Sequence, residues 1–223
     1  MGKLIDDKIV DFFSKYRKKE FKKGEIIINS EVVPKGIYYI DKGYVREYST
    51  SSQGFELTIN IFKPKTFFPL AWAISGITNH YYYESFTNTT LIKAPKEDVL
   101  KYIKKDNEIL YDITKRVFKG LNTTIVRMQY IAQENAYIKV ANVLLLASKR
   151  FGEKVGPYSY NIRLKLTHQD IANLAGLTRE TTSIQVKNLE RKGYIERHKG
   201  RYMIKDIRKL KKESLIAGNK VLR

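Results

Sequence analysis

Apolar positions along the chain change their period three times, and each change marks a different kind of element. Over residues 4–17, Leu4, Ile5, Ile9, Phe12, Phe13 and Tyr16 fall on one side of a helix. From Phe21 to Ala94 the apolar residues come instead in short β-branched and aromatic runs: Glu25–Asn29, Gly36–Ile40, Tyr44–Tyr48, Phe55–Phe62 and Thr89–Lys93. Lys-Gly, Pro-Lys-Gly, Asp-Lys-Gly, Ser-Gln-Gly and Lys-Pro-Lys separate them, so the spacing predicts a small sandwich or barrel.

A helical period returns at Asn107–Ala132, where Leu110, Ile113, Val117, Leu121, Ile125, Met128 and Ile131 make a stripe too long for the edge of one small domain. Two copies of the chain could bury it as a homodimer. The competing reading is a helix lying on its own β domain, because Gly120 and Thr124 interrupt the stripe. The pattern divides an α+β chain into a β-rich part at 1–106, a dimerisation helix at 107–135 and a C-terminal part at 136–223.

Residues 167–193, THQDIANLAGLTRETTSIQVKNLERKG, predict two short helices joined at a glycine. Thr167 with Asp170 three residues on resembles a capping box, in which hydroxyl and carboxylate satisfy free amides at a helix start. Ile171, Ala172, Leu174 and Ala175 supply the buried side. Gly176 stands where a chain leaving a helix needs positive φ. Thr178 is a second N-cap, Thr182, Val186 and Leu189 make the face toward the first helix, and Gly193 ends the second.

That leaves Arg179, Glu180, Ser183, Ile184 and Lys187 on the other faces, nearest the end of a recognition helix that enters a major groove. Arginine can donate two bonds to guanine, glutamate can accept from cytosine, and Ile184 can meet a thymine methyl. Tyr194–Arg197 and Arg201–Ile204 around His198-Lys199-Gly200 predict a β-wing, with Lys199 and Arg201 placed to meet phosphate. With the cap residues Thr167 and Thr178, these side chains form the candidate contact set for double-stranded DNA. An ordinary helical hairpin with a solvated charged face is the bland alternative.

Charge supports the nucleic-acid reading. Of the net +19, the last 88 residues carry +13, from 20 Lys+Arg against 7 Asp+Glu. Such a patch attracts a polyanionic backbone and releases its counterions. Runs such as Lys101–Lys105 and Arg208–Lys212 read more simply as solvated helix faces.

Composition closes several other routes. At 223 residues, 43 % hydrophobic and 12 % aromatic, the chain can hold two modest globular domains. It has no cysteine, which excludes disulfides, thiolate zinc, a cysteine nucleophile and a cysteine-bound iron–sulfur cluster. His80, His168 and His198 are scattered, so no metal site or enzyme active site is expected. The start, MGKLIDDKIVDFF, lacks a signal-peptide core, and the longest apolar run, at Val143–Ala147, is far below the ~18 residues that span a bilayer. A cytoplasmic protein with no membrane partner is the simplest expectation.

Several phrases carry a family resemblance. Phe21-Lys-Lys-Gly-Glu-Ile-Ile, Gly36-Ile-Tyr-Tyr-Ile-Asp-Lys-Gly-Tyr-Val, a long helix, and Leu166-Thr-His-Gln-Asp-Ile-Ala-Asn-Leu-Ala-Gly-Leu-Thr-Arg-Glu-Thr follow in order, and the chain resembles the cyclic-AMP receptor protein and fumarate-nitrate regulator (CRP/FNR) family over nearly its whole length. The resemblance implies an N-terminal cyclic-nucleotide-binding-type β-roll, a dimerisation helix and a C-terminal winged helix-turn-helix. It implies a homodimeric transcription regulator that contacts promoter DNA and often RNA polymerase, with Arg179, Glu180 and Ser183 at DNA-reading positions.

Two departures qualify it. Ile184 stands where many members carry arginine, so the half-site need not be the usual one. Cyclic-AMP-binding members hold the sugar and phosphate with a Gly-Glu-Leu turn and a later Arg-Ser pair; here the loop reads Phe67-Phe68-Pro69-Leu70-Ala71-Trp72, and Asn79–Glu84 contains no arginine. Cyclic AMP is therefore not expected as a ligand, and haem would have to rest on His80 alone. An apolar effector could be lined by Phe67, Phe68, Leu70, Trp72 and Tyr82, with Thr124 from the long helix, although such aromatic clusters are more often core. The rival to an effector-responsive regulator is a ligand-independent repressor or an architectural DNA-binding protein.

Overall fold

The computed structural model describes residues 2–133 and 135–214, with side chains from Ile5 onward. The Leu4 side chain and residues 215–223, the end of the expected C-terminal part, lie outside the described residues. The chain divides into two compact units, Met1–Lys119 and Gly120–Arg223. The division falls within the long helix, which gives one part of its length to each unit.

In the first unit, α1 (Gly2–Ser14) precedes eight strands: β1 (Lys18–Phe21), β2 (Ile26–Ile28), β3 (Ile37–Lys42), β4 (Val45–Thr50), β5 (Glu56–Phe62), β6 (Phe67–Phe68), β7 (Tyr82–Ser85) and β8 (Thr89–Ala94). α1 stops at Ser14, three residues short of the expected end, because β1 begins at Lys18 and pairs with β8. The strands form two antiparallel four-stranded sheets, ordered β1-β8-β3-β6 and β2-β7-β4-β5. Successive side chains of a strand point to opposite faces. Ile37 and Tyr39 of β3, with Ile92 of β8, therefore join Ile5, Ile9 and Phe13 of α1 in one core, while Tyr38, Ile40 and Leu91 join Val45, Phe68 and Tyr83 in another.

Two helices complete this unit, one that the strand-like reading lacks and one that carries the run Lys101–Lys105, expected as a solvated helix face. α2 (Leu70–Ser75) interrupts the strand run and ends on Gly76 at φ 72°. α3 (Lys96–Lys105) buries Val99 and Ile103 and leaves Lys101, Lys104 and Lys105 exposed.

The long helix α4 (Asn107–Ile131) starts where Asp106 accepts hydrogen bonds from the amides of Glu108 and Ile109, at 3.0 and 3.3 Å. Gly120 and Thr124 do not break it. Ile113 is a correction to the expected dimer stripe. It is only 3 % exposed and packs with Ile109 in the α1 core of its own chain. At 100° per residue it lies about 60° to one side of the line through Leu110, Val117, Leu121 and Met128. Those four and Ile125 are exposed, flanked on the other side by exposed Tyr111 and Phe118.

The second unit adds α5 (Ala136–Phe151), β9 (Gly152–Lys154), β10 (Tyr160–Ile162), α6 (His168–Ala175), α7 (Arg179–Arg191), β11 (Ile195–His198), β12 (Arg201–Ile204) and α8 (Ile207–Lys212). The apolar run at Val143–Ala147 is the centre of α5, whose N-cap Asn135 accepts from the amides of Tyr137 and Ile138. α5 packs on both α6 and α7, and Val140, Leu144 and Leu145 are among its buried residues. A sheet ordered β11-β12-β10-β9 closes the unit.

Candidate nucleic-acid interface

The helix pair is built by local chemistry that the residues dictate. Thr167 Oγ1 accepts from the Asp170 amide at 3.1 Å while the Thr167 amide donates to Asp170 Oδ2 at 2.7 Å, a complete capping box. Gly176 takes φ 64° and turns the chain. Thr178 Oγ1 then accepts from the Thr181 amide at 3.2 Å and donates to Thr181 Oγ1 at 2.9 Å. Both threonine hydroxyls, expected as DNA contacts, are thus engaged inside the helix ends. The buried side of α6 also differs: Asn173 is buried, held by Gln169 at 2.7 Å, and Leu174 is only half-buried.

Burying Thr182, Val186 and Leu189 turns the opposite face of α7 outward. Arg179, Glu180, Ile184 and Lys187 are exposed and Ser183 is half-buried beside them. The Ile184 side chain is 57 % exposed, an apolar group on a water-facing surface. His168, at the first position of α6, is half-buried. Burial, and then the nearby charge of Arg197, hold its imidazole below the usual histidine range, with Arg179 and Lys187 adding to the effect.

The wing pairs β11 with β12 around Lys199 at φ 48° and Gly200 at φ 78°, two left-handed residues in a tight hairpin turn. Lys199 is exposed at its tip, and Arg201 is exposed with its Nε donating to the Arg163 carbonyl at 3.1 Å. Arg197 and Lys165 are exposed cations of the same wing region that the sequence pattern did not single out. Arg127 was also missed. Its guanidinium leaves α4 to reach the Leu174 carbonyl of α6 at 3.1 Å, a contact made across the fold that no local signal announces.

Phe67 and Phe68, two of the six effector candidates, do not share one side of the sheet. Phe67 belongs to the α1 core and Phe68 to the core on the other face of the same sheet, stacked on Tyr83 with centroids 5.1 Å apart. Both are packing residues, a correction to their reading as pocket walls. Leu70 and Trp72 border the α1 core, with Lys96 Nζ 4.6 Å from the Trp72 ring, and Tyr82 stacks on Tyr48. Thr124 lies in the second unit and donates back to the Gly120 carbonyl at 3.2 Å. His80, the one histidine of the first unit, faces Glu31 at 2.7 Å.

One polar group in the β-roll was not foreseen. Glu47 of β4 lies opposite Tyr83 of β7, whose hydroxyl donates to its carboxylate at 2.8 Å, and burial pushes the Glu47 carboxyl above its ordinary value. The preceding residue, Arg46, is almost fully buried between Glu56 and Glu84, at 2.7 and 2.8 Å.

A β-roll joined through a long helix to a winged helix-turn-helix defines a DNA-binding transcription regulator with a sensor-type N-terminal domain. Comparison with known proteins agrees: residues 18–106 match the cyclic nucleotide-binding domain and residues 138–213 the Crp-like helix-turn-helix domain. The chain belongs to the CRP/FNR family of transcription regulators. It is 28 % identical over 199 residues to the transcriptional regulator SdrP of Thermus thermophilus, covering 86 % of this chain and 91 % of that one. It is 26 % identical to the global nitrogen regulator of a Nostoc species, covering 73 % and 74 %. Among solved structures it is similar to a CRP/FNR-family regulator from Thermus thermophilus, with a TM-score of 0.69 and 26 % identity over 88 % of this chain and 97 % of that one. FixK2 from Bradyrhizobium japonicum shares the fold, with a TM-score of 0.77 at 20 % identity over 89 % and 97 %. Among the described residues no helix is long and apolar enough to cross a membrane.

Proposed function

We propose that this regulator acts in the cytoplasm as a homodimer, each copy setting the first turns of α7 in the major groove of one half-site, and that it does not respond to cyclic AMP. The observation that carries the dimer is the exposed line Leu110, Val117, Leu121, Ile125 and Met128 on α4. So many apolar side chains along one helix are costly in water and are relieved by a second copy. A twofold pair also presents two recognition helices about one turn of DNA apart, ~34 Å, which a short helix needs for specificity.

The reading of the sensor rests on charge. A cyclic nucleotide brings a phosphate that must be met by free amides and a guanidinium. Pro69 has no amide to give, Asn79–Glu84 offers no arginine, and Arg46 is already held by two carboxylates. With Phe67 and Phe68 packed into separate cores on opposite faces of one sheet, a regulator that reads DNA without a small-molecule effector is the favoured reading. RNA polymerase is the further partner that the family implies.

Selection of bound sequences from a random DNA pool tests the whole reading. The expected result is an inverted repeat whose half-sites lie one helical turn apart. Recovery of single, unpaired half-sites argues against the dimer. A clear rise in the unfolding midpoint with added cyclic AMP argues against the sensor reading.

A further inference from the structure

The recognition helix is longer than the groove it enters. At 1.5 Å per residue Arg191 stands about 18 Å along α7 from Arg179, whereas the major groove is ~12 Å wide. With the first turns of α7 among the bases, its last turn lies at the level of the phosphates.

Two adjoining recesses mark that end of the helix. One, about 440 Å³, is lined by Ile184, Lys187, Asn188, Glu190 and Arg191. The other, about 530 Å³, lies between α7 and the start of α5 and is lined by Tyr137, Gln185, Asn188, Arg191 and Lys192. They share Asn188 and Arg191, so the surface continues from the base-reading face into the second recess.

The side chains there are ordered by one another. Asn188 Nδ2 donates to Gln185 Oε1 at 3.0 Å, and Arg191 Nη2 donates to Asn188 Oδ1. Lys192 sits 4.5 Å from the Tyr137 ring and is paired with Glu213 at 3.3 Å. Arg191 has no carboxylate partner among the described residues. It is an exposed guanidinium oriented by an amide chain, with Glu190 lining the same recess but no ion pair to Arg191 among the described residues.

We propose that Arg191 takes a phosphodiester of the DNA backbone at the flank of the half-site, with Asn188 and Gln185 as positioning residues. The inference rests on the placement of α7 in the major groove and adds a backbone contact to it. Orienting the guanidinium in advance reduces the entropy lost on binding, and planar, forked recognition suits a phosphate. The continuity of the two recesses along the reading face favours DNA over a protein partner.

The test measures binding of the full chain to its selected duplex across a salt series, with Arg191→Gln, Arg191→Lys and Asn188→Ala. Arg191→Gln should bind about 5- to 10-fold more weakly at ~0.1 M salt, with the slope of log affinity against log salt shallower by about 0.9 per half-site. Arg191→Lys should keep the slope, Asn188→Ala should fall between, and the selected base sequence should not change. Neutral methylphosphonate linkages in the flank should weaken wild-type binding and abolish its advantage over Arg191→Gln. An unchanged salt slope, or a loss confined to transcription with RNA polymerase while DNA affinity holds, overturns the proposal. So does a changed base preference, which would make Arg191 a base reader. A wild-type chain with no sequence preference at all overturns it together with the reading beneath it.

Discussion

Arg127 Nη2 lies 3.1 Å from the carbonyl oxygen of Leu174, joining the long helix to the last turn of the first helix of the DNA-binding pair. The carbonyls at a helix C-terminus have no partner within the helix and carry partial negative charge, so a guanidinium is well matched to them. Its Nε also donates to the hydroxyl of buried Tyr130 at 3.2 Å.

Arg127→Met keeps the aliphatic stem and removes these donors. Hydrogen bonds from charged groups are worth ~1.5–3 kcal/mol, so the variant should lose about 2 kcal/mol in urea unfolding of the second unit. Its affinity for specific DNA should fall while Arg179 and Glu180 remain intact. Equal stability would show that the contact contributes nothing.

Glu47 gives a pH signature of the first unit. Its carboxyl is raised above the ordinary 4.5 by burial, opposed by the Tyr83 hydrogen bond, so the folded state binds the proton more tightly than the unfolded state. Stability from this group is therefore greatest at low pH and is lost as pH rises from 4.5 through the raised value. Glu47→Gln cannot ionise and still accepts from Tyr83. Its unfolding midpoint should exceed that of wild type at pH 8, with the gap closing toward pH 4. A lower midpoint at both values contradicts the assignment.

Ile184 is an apolar side chain exposed on the face of α7 proposed to read sequence. Replacing it by arginine exchanges an affinity for the thymine methyl for one toward guanine O6 and N7, at about 1–3 kcal/mol of discrimination. The sequences selected by Ile184→Arg should change at one position of each half-site and nowhere else. An unaltered motif would mean that residue 184 does not touch a base.

Leu121→Asp and Met128→Asp place charge in the exposed α4 line without disturbing either core. Sedimentation should show wild type as a dimer and both variants as monomers at micromolar concentration. Binding to a two-half-site duplex should weaken at least tenfold. Dimers that persist in both variants would locate the interface elsewhere.

Much of the DNA-binding half is legible in the sequence because its signals are local. Thr167 with Asp170, Gly176 and Thr178 fix helix ends within a few residues, whatever surrounds them. The β-roll is harder. β1 reads as Lys-Lys-Glu-Phe, three exposed positions before one buried, and β6 has only two residues; both exist because partners distant in sequence pair with them. Ile113 was drawn into the dimer stripe because two apolar faces, about 60° apart on α4, merge in a periodic reading. The aromatic loop shows the same limit: composition cannot tell a pocket wall from a core ring, and packing put Phe67 and Phe68 on opposite sides of one sheet.

Strand β3 faces two interiors, with Ile37 and Tyr39 turned toward the helices and Tyr38 and Ile40 toward the second sheet. A shift of one position would exchange the two sets, driving each ring into a space shaped for its neighbour. Related chains can then vary the identity of these four residues, but an insertion or deletion within them would undo both cores of the first unit at once. Length changes in this unit belong in its connecting loops.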